Sequence, residues 1–165
     1  MIKIGLLSDT HGFLDPSIIP VLEDCDEIWH AGDIGSLKLV DQLRKLNKTL
    51  KLVYGNIDGH DIRIDMPEDL VWMVGDMKVL MTHIGGYPGH YTARVKKILL
   101  DEKPDIFVCG HSHILKVIYD KQLNLLHINP GSCGKEGFHK VRTMVRFVID
   151  NGKVRDLAIV EMDAR

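Results

Sequence analysis

The chain has 165 residues, about one domain's worth, enough to bury roughly two-thirds of its unfolded surface around a single core. Its 45% hydrophobic and 27% charged residues are those of a soluble globular protein, and a formal net charge of −2 gives no electrostatic reason for bulk binding to nucleic acid. No run approaches the ~20 apolar residues of a membrane span, the apolar start is too short for a signal peptide, and Cys25, Cys109 and Cys133 are too scattered for a disulfide framework or zinc knuckle, so the expected location is cytoplasmic.

In chain order, short apolar runs end repeatedly in a glycine or a polar cluster. They are "IKIGLLS" before Asp9, "EIWHA" before Gly32, "LKLVY" before Gly55, "KVLMT" before His83, "DIFVC" before Gly110 and "NLLHI" before Asn129. A short helix is expected after Asp15 despite Pro20, whose ring is costly inside a helix. Ser36 can cap a helix whose Leu39, Val40, Leu43 and Leu46 recur at helical spacing. A second helix is expected over 90–102, with Tyr91, Val95, Ile98 and Leu99 on one face and Pro104 beyond its end. Strand-like runs flank Gly75-Asp76 and Asn151-Gly152, the latter a strong hairpin signal. Strands alternating with helices, then hairpins, predict an α/β fold with mixed rather than purely parallel pairing in one domain over 1–165.

Ligand-capable side chains recur after these runs. Asp9 and His11 stand in "SDTHG", Asp33 in "HAGDIG", Asn56 and Asp58 in "YGNIDG", His83 in "MTHIGG", and His111 and His113 in "GHSH". Each alone reads as a cap, a turn residue or a loop histidine. Together they deliver oxygen and nitrogen donors to the strand ends, where open α/β sheets bind ligands. Alternation along an extended backbone would turn His111 and His113 to one side. Four histidines, two aspartates and an asparagine, without a thiolate, suit manganese, iron, zinc, nickel or cobalt. Seven side chains are more than one ion needs and match two ions sharing one bridging carboxylate.

The ordered series Asp-x-His, Gly-Asp, Gly-Asn, His and Gly-His-x-His, closing with "NPGS" at 129–132, resembles the calcineurin-like metallophosphoesterases, particularly their small bacterial and archaeal phosphodiesterases. The resemblance implies two mixed β-sheets packed as a sandwich with flanking helices. It implies that Asp9, His11 and His113 hold one divalent ion, that Asn56, His83 and His111 hold the other, and that Asp33 bridges them. Asp33, Asn56 and His83 are the implied catalytic residues, and manganese is the first choice of metal. The implied reaction is hydrolysis of a small phosphodiester by hydroxide held between ions ~3.5–4 Å apart and attacking phosphorus in line. A homo-oligomer is compatible with the sequence, and a membrane partner is not expected.

Two departures from the family pattern bear on mechanism. Ser36 stands where the second motif commonly carries a further aspartate, and Ile57 follows Gly55-Asn56 where the wider family has a proton-donating histidine. Isoleucine has no proton to donate. His60 and His90 are the nearest substitutes in sequence, although each alone reads as a loop histidine, and Arg63 and Arg94 read as surface arginines. The vesicle-coat subunit of retromer resembles the same fold without the donor, so a non-catalytic protein-binding scaffold is the alternative. Here every ligand position of the pattern is filled.

Overall fold

The computed structural model describes residues 1–163. Ten strands form two five-stranded sheets. The first sheet contains β1 (Ile2–Leu7), β2 (Glu27–His30), β3 (Thr49–Leu52), β9 (Arg142–Asp150) and β10 (Lys153–Met162), in the order β10-β9-β1-β2-β3. The second contains β4 (Asp69–Val74), β5 (Met77–Thr82), β6 (Ile106–Val108), β7 (Leu115–Asp120) and β8 (Leu125–Pro130), in the order β4-β5-β6-β8-β7. β1, β2 and β3 run parallel, as do β5, β6 and β8, while the remaining strands pair antiparallel at the flanks. Both sheets are therefore mixed, and the parallel strands of each end on loops that carry the polar motifs.

The near-continuous apolar runs follow from burial on both faces. Ile4 and Leu6 of β1, Val79 and Met81 of β5, and Ile106 and Val108 of β6 fill the space between the sheets. There Trp29 packs edge-on against Trp72 of the opposite sheet, with ring centroids 4.9 Å apart. The alternate residues Leu7 and Ile28 point outward under α1 (Ile19–Glu23) and α2 (Leu37–Arg44), whereas Leu80 and Phe107 point outward under α4 (Ala93–Glu102). A four-residue α3 (His60–Arg63) follows the third motif loop. Among the described residues no helix is long and apolar enough to cross a membrane, and Cys25, Cys109 and Cys133 are buried free thiols.

Ser36 caps α2 through its hydroxyl, which accepts the Leu39 amide at 3.3 Å. Pro20 is tolerated because it lies in the first turn of α1, where an amide has no intrahelical acceptor, after a 3-10 turn at Pro16–Ile18. The second helix begins three residues later than the periodicity suggests. Thr92 caps it by accepting the Val95 amide at 3.3 Å, and Tyr91 packs on the core from the preceding loop. The strand β7 has no counterpart in the sequence expectations. It is an edge strand with exposed Ile118 and Tyr119, so its pattern lacks clean alternation.

Candidate metal centre

Asp9 and His11 follow β1, Asp33 follows β2, Asn56 follows β3, His83 follows β5, and His111 and His113 follow β6. Because these strands are parallel within each sheet, their carboxyl ends bring all seven side chains to one edge of the sandwich. Donor atoms of Asp9, His11 and His113 form one group, and those of Asp33, His83 and His111 a second, each within 4.8 Å of one another. Asn56 joins the second group, its Oδ1 lying 3.0 Å from His111 Nδ1. Asp33 Oδ2 stands between the groups, 3.5 Å from His11 Nε2 and 3.1 Å from His83 Nε2. Asp9 Oδ1 is 3.2 Å from His113 Nε2 and 3.7 Å from His83 Nε2.

The backbone holding these groups is unusual. Asp9, His11, Asp33, His111 and His113 all adopt left-handed φ between 48° and 70°, a region that costs a non-glycine residue energy and clusters at functional sites. The two histidines of "GHSH" thus lie on a turn rather than in extended backbone. Alternation does not explain their spacing, and their rings serve different groups. The neighbouring glycines are needed for close approach: a Cβ on Gly110 would overlap Ser8 Oγ, and one on Gly55 would overlap Asp33.

Asp9, Asp33 and His83 are held from behind. Asp9 Oδ2 accepts from Ser8 Oγ at 2.6 Å and from the His111 amide at 3.1 Å, and Asp33 Oδ1 accepts from the Ile57 amide at 3.0 Å. The Ala31 carbonyl can only accept, so His83 Nδ1 donates to it at 2.8 Å and Nε2 is left facing the two carboxylates. Asp58, one of the ligand-capable residues in sequence, is fully engaged elsewhere. Its carboxylate accepts the amides of Ile34, Gly35 and Gly55 and ties the second motif loop to the third. Asn129 of "NPGS" likewise supports the Gly110–His113 turn, donating to Gly110 O and Ser112 Oγ, both at 3.0 Å.

Three buried atoms at this edge, Asp9 Oδ1, His11 Nε2 and His83 Nε2, have no hydrogen-bond partner among the described residues. Buried polar atoms are nearly always satisfied. Three unsatisfied donor atoms converging with a second carboxylate fit divalent cations, since ligands about 2.0–2.2 Å from one ion lie within a few ångströms of one another. The electrostatics agree. Burial acts to raise the Asp33 carboxyl, but contact with His83, the Ile57 amide and His11 hold it below the usual carboxylate range. Burial acts to lower His83, yet Asp33 and Asp9 outweigh it and raise its imidazole. His111 is lowered, by burial and by His83 beside it.

Three clefts open from the centre, two of them with cationic side chains in their walls. One of these two, about 480 Å³, is lined by Tyr54, Asn56, Arg63, Thr82, His83 and Arg94. Both arginines, which read as surface residues in sequence, form its wall. Arg63 is anchored by donating to Asp58 O at 2.6 Å and lies over the Tyr54 ring, and Arg94 is held by Asp69, Glu68 and Thr82. The other of the two, about 470 Å³, is lined by Ile84, Tyr87, Ile114, Lys116 and His111 among others. Neither His60 nor His90 lines any of the three. His90 is exposed and packs its ring on Tyr87, 4.8 Å between centroids.

Residues 2–152 match the model of the calcineurin-like phosphoesterase superfamily domain. The chain belongs to this superfamily. It is 33% identical over 164 residues to a probable metallophosphoesterase of Mycoplasma pneumoniae, covering 95% of this chain and 96% of that one. A phosphodiesterase of Methanocaldococcus jannaschii is 27% identical over 147 residues, covering 79% and 84%. The Vps29 structure from Chaetomium thermophilum superposes with a TM-score of 0.76 over 100% of both chains at 16% identity, a likeness of fold. The mixed two-sheet sandwich is that of the metallophosphoesterases.

Proposed function

We propose that this metallophosphoesterase is a dinuclear metal-dependent phosphodiesterase. The observation that carries the reading is the set of unsatisfied buried donors, Asp9 Oδ1, His11 Nε2 and His83 Nε2, converging around an Asp33 oxygen placed between two ligand groups. Asp9, His11 and His113 would hold one ion, Asn56, His83 and His111 the other, and Asp33 both. Manganese is the expected metal, with nickel, zinc, iron and cobalt also matched by this nitrogen and oxygen set. Bound there, the ions would supply Lewis-acid polarisation of the phosphate and a hydrolytic nucleophile at neutral pH.

The chain's own residues do the rest. The Ile57 amide and the Asp58 clamp fix Asp33 in register between the groups, and the left-handed turns hold the histidines oriented before substrate arrives. The two adjoining clefts with cationic walls, which share Ile84 and Thr92, leave room for both substituents of a small phosphodiester. In the first cleft the charge of Arg94 is matched by Asp69 and Glu68, which leaves Arg63 with backbone carbonyls and a ring as its described partners, and the second cleft adds Lys116 over the Tyr87 ring. That is modest cationic help for a monoester dianion and favours the diester. No side chain at the position of Ile57 can protonate the leaving group.

A protein-binding scaffold is the second reading. The fold likeness to Vps29 favours it, as do the exposed Ile84, Tyr87, Ile114 and Phe138 near the centre. The two readings separate in one assay. The purified chain, loaded with manganese, is offered aryl phosphomonoesters and phosphodiesters with and without a chelator. An enzyme of the proposed class hydrolyses the diesters faster and loses that activity to the chelator. Absence of chelator-sensitive turnover on any ester leaves the scaffold.

A further inference from the structure

The geometry points to His139 as a positioning residue that fixes the tautomer of His113 and thereby turns the His113 Nε2 lone pair onto the Asp9–His11 side of the centre. The inference rests on the dinuclear reading above and concerns a residue outside every motif of the resemblance. His139 lies in the loop between β8 and β9.

With both imidazoles neutral, the hydrogen-bond chain has one consistent direction. His139 Nε2 is 2.7 Å from the Gly134 carbonyl oxygen. A carbonyl only accepts, so this nitrogen carries a hydrogen. A neutral imidazole protonated at Nε2 has its lone pair at Nδ1. That atom is 3.2 Å from His113 Nδ1. Two lone pairs do not bond, so His113 Nδ1 must carry the hydrogen and donate. His113 Nε2 is then unprotonated, and it is this nitrogen that lies 3.2 Å from Asp9 Oδ1 within the first ligand group. A metal ion binds imidazole only through such a lone pair, and the partner of the opposite nitrogen selects it.

Packing protects the arrangement. The two rings meet edge-on, 5.0 Å between centroids at 77°. Gly137, at φ 118°, lies directly against the pair, and a Cβ there would overlap His113 Nδ1 and come within 2.6 Å of its Cε1. Only glycine lets this loop close over the contact. The two ligand groups therefore orient their histidines differently: His83 donates Nδ1–H to the Ala31 backbone carbonyl, whereas His113 donates to a side chain.

The test uses the full chain loaded with zinc, which is diamagnetic. Imidazole ¹⁵N–¹H spectra of the wild type at pH 8 are expected to place the hydrogen of His113 on Nδ1 and that of His139 on Nε2. Zinc affinity is then measured by chelator competition in His139→Phe, which keeps a ring but loses the acceptor, and in His139→Gln. Glutamine can both donate to Gly134 O and accept from His113. Loss of an outer hydrogen-bond partner typically weakens metal binding about 10–100-fold. That loss is expected at one of the two sites in His139→Phe, with His139→Gln within a few-fold of wild type. A wild-type His113 without hydrogen on Nδ1, or a folded His139→Phe that binds zinc as tightly as wild type, overturns the inference. A wild-type chain that takes up fewer than two zinc ions contradicts the dinuclear reading instead. The imidazole spectrum of the zinc-free chain, in which no metal occupies His113 Nε2, still decides the His113–His139 pairing.

Discussion

His30, at the end of β2, and His83, just after β5, are both buried histidines at strand ends, yet their surroundings differ in kind. His30 is spent on both sides. Its Nδ1 accepts the Gly32 amide at 3.1 Å, so its Nε2 donates to Thr10 Oγ1 at 2.9 Å, and that hydroxyl donates to Ile34 O at 2.9 Å. Burial holds it neutral, pushed down to about 4 despite nearby carboxylates. His83 spends only Nδ1 and leaves Nε2 unsatisfied among Asp9, Asp33 and the other imidazoles. Burial is common to both residues. What distinguishes a candidate ligand is an unspent donor atom that converges with others.

The most severe loss follows from removing the carboxylate that His83 faces. Asp33→Ala removes the oxygen shared by both groups, so it should strip both ions, whereas His113→Ala should leave one. Elemental analysis of the purified variants reads the difference directly, and two ions retained in Asp33→Ala would falsify the bridging role.

Next in size is the position that presents no polar group at all. Ile57 is 47% exposed on the loop that carries Asn56. Ile57→His should raise turnover of alkyl diesters by up to ~10²–10⁴, the range of general acid catalysis, and leave nitrophenyl diesters nearly unchanged. Rates across diesters of graded leaving-group pKa would show a flatter dependence in the variant. An already shallow dependence in the wild type would mean that another group donates the proton.

A third expectation concerns buried imidazoles outside the ligand groups. His127 is 1% exposed and, like His30, is pushed down to about 4 by burial. Unfolded histidine titrates near ~6.5, so between these values the unfolded chain binds protons that the folded chain refuses. Stability is then full above about pH 6.5 and falls as pH drops toward 4, by about 3 kcal/mol for each histidine. Urea unfolding of metal-free protein at pH 7.5 and pH 5 should show a smaller acid loss in His127→Phe than in wild type. Equal losses would show that His127 is not excluded from protonation.

The smallest change separates support from ligation. Thr10→Val keeps shape but leaves the His30 Nε2 hydrogen unpaired, which should cost about 1–3 kcal/mol in unfolding experiments. Metal content should stay at the wild-type value. Loss of metal from this variant would place Thr10 in the centre's support rather than in the His30 network alone.

Much of this was legible in the sequence because parallel strands leave a double record. Their two-sided burial writes continuous apolar runs, and their carboxyl ends write the polar residues that follow, from Asp9 after β1 to His113 after β6. The hairpins at Gly75-Asp76 and Asn151-Gly152 carry turn chemistry that needs no tertiary context. Other features depend on contacts that spacing does not encode. The left-handed turn of "GHSH" resembles extended alternation when read as letters. The role of Asp58 as a clamp is set by amides from two other loops, and β7 was obscured by the mixed pattern of an edge strand. Arg63 and Arg94 reach the cleft only because Asp58 O and Asp69 anchor their long side chains there.

The proposed site is a two-ion centre that hydrolyses phosphodiesters. Its most direct test is a manganese titration of metal-free wild-type protein, with bound metal and diester hydrolysis measured on the same samples. The expected result is saturation at two ions per chain, with hydrolysis that appears as the sites fill and vanishes with a chelator. Saturation at one ion, or hydrolysis indifferent to the chelator, would contradict it.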